Sequence, residues 1–98
     1  MTNYYHDSTS SLAELVREYA RRIDRINHEH AVDVLQDLDS GEPMIALGTS
    51  IFYAREDGID VPPDMLAQTG RELDPEDGYA LETYRDLMKK SLIRKPYD

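Results

Sequence analysis

The side chains able to do chemistry in this chain are three histidines, His6, His28 and His30, and twenty carboxylates; there is no cysteine. His28-Glu29-His30 sets two imidazoles at i and i+2. On a helix that spacing turns them about 160° apart, so they cannot share a metal as i, i+4 ligands do. They read as a surface pair at a helix start. Asp37-Leu38-Asp39-Ser40-Gly41-Glu42 resembles part of a calcium loop. It lacks the third acidic ligand, places glycine at the wrong position and has Gly48 where the closing glutamate belongs. No glycine motif for phosphate and no local nucleophile signature is present. No catalytic residue, metal site or cofactor is assigned, and the expectation is a protein that is not an enzyme.

The carboxylates carry a second kind of chemistry, that of a charged surface. The net charge is −9, and its distribution is uneven. Residues 1–28 balance four acids with four arginines, and residues 65–98 hold seven acids and six bases. Residues 29–64 hold nine acids against Arg55 alone, a balance of −8. Such a field repels nucleic acid and anionic membrane and attracts a basic partner. The plainer alternative is a solvated, solubilising face.

The elements that position these residues follow from apolar periodicity. Ser11 and Glu14 have capping-box spacing. Leu12, Leu15, Val16, Tyr19, Ile23 and Ile26 then form one helical stripe, with Arg17, Arg21 and Arg25 on the far side among acids. A second stripe is Ala31, Val34, Leu35 and Leu38, closed by Gly41. Glu29, Asp33 and Asp37 lie opposite it at i, i+4, i+8, where like charges repel. Glu42-Pro43 opens a third helix bearing Met44, Ile45, Leu47, Ile51, Phe52 and Ala54 and ending at Gly58; Tyr53 falls on its other face, beside Thr49 and Glu56. Pro62-Pro63 begins a fourth, with Met65, Leu66, Thr69 and Leu73, weakened by Gly70. Asp74-Pro75-Glu76-Asp77 starts a fifth, with Ala80, Leu81, Tyr84, Leu87, Met88 and Leu92. The fold class is all-α, a compact bundle of about four or five short helices. Residues 1–98 make a single domain, with 1–10 and 94–98 as loose tails.

The absence of cysteine and of any signal peptide or spanning apolar run points to the cytoplasm. A bundle this small is expected to lack the pocket of about 300 Å³ that a ligand site needs.

Residues 34–73 resemble the small helical immunity proteins of bacterial polymorphic toxin systems, the Maf-type in particular. The likeness rests on Gly41-Glu42, Ala46-Leu47, Glu56, Ile59 and Val61; Gly48, Ser50 and Ala54 depart from the pattern. The resemblance implies an inhibitor that binds and neutralises a cognate toxin, often a nuclease. Nucleases are basic where they hold phosphate, so an acidic inhibitor suits them.

The partner-binding surface expected from these readings comprises Glu29, Asp33 and Asp37 on the second helix, Asp39 and Glu42 at the following turn, and Glu56, Asp57 and Asp60 beyond the third. Tyr53 is its aromatic anchor. The rival reading is a small acidic helical adaptor with no toxin partner, which would show a groove-forming apolar surface. Oligomeric state is left open.

Overall fold

The computed structural model describes the backbone of residues 7–94 and the side chains of residues 11–91. Among these, five helices and no strand occur: α1 (Asp7–Asp24), α2 (His28–Asp39), α3 (Pro43–Glu56), α4 (Pro63–Glu72) and α5 (Gly78–Arg94). The fold is all-α. His6 and residues 1–5 and 95–98 lie outside the described residues. Residues 7–10 and Arg94, expected in tails, are helical.

α3 is the hub, packed against α1, α2 and α5, while α4 closes onto α1 and α5. Its inward positions carry small residues, Ala46, Ser50 and Ala54, beside Leu47 and Ile51, and all five are buried. Small side chains let neighbouring backbones approach closely. Around them Val16, Tyr19 and Ile23 of α1 and Val34 of α2 are fully buried. Burying each side chain of this kind is worth about 1.5–3 kcal/mol. The buried hydroxyls of Ser50, Thr69 and Thr83 donate to the carbonyl one turn back, at Ala46 (2.7 Å), Met65 (2.7 Å) and Tyr79 (3.1 Å). The hydrogen of each is thereby satisfied within its own helix. Thr69 having donated to Met65, the Tyr19 hydroxyl donates to Thr69 Oγ1 at 2.7 Å, tying α1 to α4.

The two turns flanking α3 share one design. After α2, the Gly41 amide donates to Leu38 O (3.0 Å) and the Glu42 amide to Asp37 O (3.2 Å), with Gly41 at φ 78°. After α3, the Gly58 amide donates to Arg55 O (3.3 Å) and the Ile59 amide to Ala54 O (2.9 Å), with Gly58 at φ 68°. Both are Schellman motifs, whose left-handed residue is best filled by glycine.

Several expected boundaries move. α1 begins at Asp7, so Ser11 lies inside the helix and does not cap it. α1 ends at Asp24, and Asn27 caps α2 by accepting the His30 amide at 3.2 Å. Ile26 therefore sits in the connection, 65% exposed, and leaves the stripe. α5 begins at Gly78, not after Asp74. Asp74 is used in a turn of its own, its Oδ1 accepting the Glu76 amide (2.9 Å) and its carbonyl the Asp77 amide (3.0 Å). Asp77 then caps α5 through the Ala80 amide at 3.1 Å. Leu35 and Met88 are more than a third exposed, and Leu92's side chain lies outside the described set.

Candidate functional site

α2 and α3 run antiparallel beneath the Gly41 turn, and their shared edge gathers much of the chain's acidity. His30, Asp33 and Asp37 recur at i, i+3, i+7 along α2 and meet Asp57, Tyr53 and Thr49 along α3. His30 Nδ1 donates to Asp57 Oδ2 at 2.8 Å, the Tyr53 hydroxyl to Asp33 Oδ2 at 2.7 Å, and Thr49 Oγ1 to Asp37 Oδ2 at 2.9 Å. The imidazole of His30 also stacks on the Tyr53 ring, with centroids 3.8 Å apart and planes 9° from parallel. Three expected surface acids are thus hydrogen-bonded across a helix seam.

This corrects one expectation. His28 and His30 are not a surface pair: His28 is exposed and bonded to Asp24 at 2.5 Å, while His30 is half-buried in the seam. Tyr53, expected as the aromatic anchor, packs its ring on His30 and donates its hydroxyl to Asp33. Its phenol is pushed above the ordinary value, first by the hydrogen bond to Asp33, then by partial burial and the charges of Asp33, Asp57 and Asp37.

The remaining acids take different positions. Glu29, Asp39 and Glu42 are exposed. Glu56 is exposed at the C-terminus of α3, 3.6 Å from Arg55. Asp57 is largely buried at the cap of the same helix, and Asp60 is exposed beyond it. Arg55, the single base between residues 29 and 64, donates to Asp86 of α5 at 2.9 Å. The antiparallel pairing brings Asp57 against the first turn of α2 and leaves Asp39 and Glu42 at the opposite end. The expected residues form two acidic ends joined by a seam, and not one uniform face.

Beside this seam lies a feature that sequence reasoning missed. α3 is apolar around most of its circumference, and Met44 and Ile45, assigned to the core, are 38% and 54% exposed. With Phe52 of α3 and Tyr79 at the start of α5, they line an open groove of about 500 Å³. This exceeds the volume expected of so small a bundle. Phe52 lies against both Tyr53 and Tyr79, with centroids 5.5 and 6.5 Å away, and the Arg55 guanidinium stands 5.7 Å from its ring. Thr49 and Tyr53 line the groove on its α2 side, and Asp74 and Asp77 line it on the α5 side. The available signal was the run Met44-Ile45-Ala46-Leu47, four consecutive apolar residues that one helix face cannot all bury.

No helix of the described residues is long and apolar enough to cross a membrane. No protein-family model matches the chain, and no curated protein or solved structure matches it.

Proposed function

We propose that this protein is an immunity protein that binds and neutralises a cognate bacterial toxin, a basic, nuclease-type domain, in the cytoplasm of the cell that makes both. Its role is binding, without catalysis of its own. The observation behind this reading is the unopposed acidity of residues 29–64. Glu29, Asp39 and Glu42 are exposed, and the segment's one base is engaged by Asp86. The resemblance of residues 34–73 to Maf-type immunity proteins agrees with it. The binding surface comprises the acids around the α2–α3 seam, with Asp33, Asp37 and Tyr53 acting from within it.

The groove favours a second reading, a helical adaptor that takes a partner other than a toxin, since an adaptor needs an apolar surface of this kind.

The two are separated by the neighbouring gene, which the immunity reading expects to encode a protein with a toxic C-terminal domain. The immunity reading expects co-expression to restore growth, and a complex to form between the purified proteins. Changing Glu29, Asp39 and Glu42 together to lysine avoids the hydrogen-bonded seam and isolates steering. Association should slow by about tenfold or more at low salt, and far less at high salt, with dissociation little altered. Unchanged association would remove the acids from the interface, and absent neutralisation would leave the adaptor.

A further inference from the structure

We infer that the groove between α3 and the start of α5 docks an apolar side chain of a partner polypeptide whose neighbouring residues are lysine or arginine. This rests on the acidic-surface reading, because the groove's α2 rim is part of that surface.

Three observations converge. First, the groove wall is apolar where solvent reaches it: Ile45 is 54% and Tyr79 61% exposed, beside Met44 and Phe52. Second, both rims are acidic. On one side Asp37 and Asp33 sit within hydrogen-bond distance of the Thr49 and Tyr53 hydroxyls that line it, and on the other Asp74 and Asp77 line it directly. An apolar cleft between carboxylates matches an apolar residue flanked by cations and repels an anionic ligand. A second copy of this chain would bring a charge of −9 against −9.

Third, Gly48 lines the groove from the middle of α3. Glycine inside a helix is less stable than alanine by roughly 0.5–1 kcal/mol, so its presence calls for a reason. Packing does not supply one, because a Cβ there would meet nothing within 4 Å, and its backbone is not left-handed. What the missing side chain provides is depth in the cleft.

The test is a titration of the isotope-labelled protein, followed by amide chemical shifts, with a twelve-residue peptide carrying phenylalanine and leucine among four lysines. Two controls replace the lysines by glutamate, or the two apolar residues by alanine. The amides of Gly48, Thr49, Asp77 and Ala80 should move with the first peptide, and each control should bind at least tenfold more weakly. Gly48→Leu, which fills the cleft while improving helix propensity, should weaken binding tenfold or more without lowering the melting temperature. Ile45→Gln, at an exposed position, should do the same by removing apolar surface while leaving the charge unchanged. Shifts centred elsewhere, equal binding of the glutamate peptide, or a Gly48→Leu variant that binds as before would overturn the inference. So would a dimer that Gly48→Leu dissolves, which would give the groove to a second copy. No toxin enters this titration, so failed neutralisation with positive shifts removes only the immunity reading. Toxin capture that Gly48→Leu leaves untouched removes only the groove.

Discussion

Two tyrosines show how differently one residue type can serve. Tyr19 is fully buried, and burial pushes its phenol up to about 12 from an ordinary value of 10.0. The unfolded chain therefore releases this proton first as pH rises. Stability from Tyr19 is complete below pH 10 and is lost between pH 10 and about 12, by an amount on the order of 3 kcal/mol. Denaturant titrations across that range should show a shallower alkaline fall in Tyr19→Phe than in the parent. Below pH 10 the same variant should be less stable by about 1–2 kcal/mol, because Thr69 loses its buried donor. Tyr53 sits at the seam, where solvent weakens its bond to Asp33. Tyr53→Phe should cost no more than about 1 kcal/mol in the same measurement, since the stack on His30 survives. Tyr53→Ala removes both and should cost distinctly more.

Among the elements, two helical glycines have opposite meanings. Gly48 in α3 faces open space, whereas a Cβ on Gly70 in α4 would collide with the Tyr84 hydroxyl and lie 2.9 Å from its Cζ. Tyr84 is held there by its bond to Leu66 O at 3.1 Å. Gly48→Ala should therefore raise stability by about 0.5–1 kcal/mol, while Gly70→Ala should lower it by about 1 kcal/mol or more despite the better propensity. Calorimetry on both variants checks the pair, and equal signs would contradict it. Sequence reasoning saw only that Gly70 weakens its helix, since the clash depends on α5 crossing α4. Other parts were readable. Gly41 and Gly58 mark their helix ends because few other residues tolerate the left-handed cap. Proline at the first position located α3 and α4. The beginnings of α1 and α5 were not readable, because runs of Asp, Ser and Thr offer several competing caps. α3 had no readable phase either, being apolar on nearly every side. The seam hid for a related reason. Asp33 and Asp37 at i, i+4 look like a repelling ridge until α3 brings its hydroxyls alongside.

At the scale of the whole molecule, three of the four consecutive helix pairs are also neighbours in space, while α3 packs on α1 and α5 and not closely on α4. α1 packs on α2, α2 on α3 and α4 on α5, and these helices are joined by short connections. Contacts so local are reached quickly, and a bundle of this type folds in microseconds to milliseconds. The contacts of α4 with α1 reach furthest along the chain: the Tyr19–Thr69 bond joins residues fifty apart, and that from Gln68 Nε2 to Ser11 O joins residues fifty-seven apart. Closing a loop of that length carries an entropic cost that local pairing does not. The order of events should follow. α1, α2 and α3 assemble first around Val34 and Leu47, and α4 closes over Tyr19 after the rate-limiting barrier. In stopped-flow experiments Tyr19→Phe should accelerate unfolding and leave refolding nearly unchanged, whereas Val34→Ala should slow refolding. Refolding of Tyr19→Phe that slows in proportion to its lost stability would place that hydroxyl in the nucleus. If the order holds, α4 is also the first part of the molecule to come away, and α1 loses its cover before its neighbours lose each other.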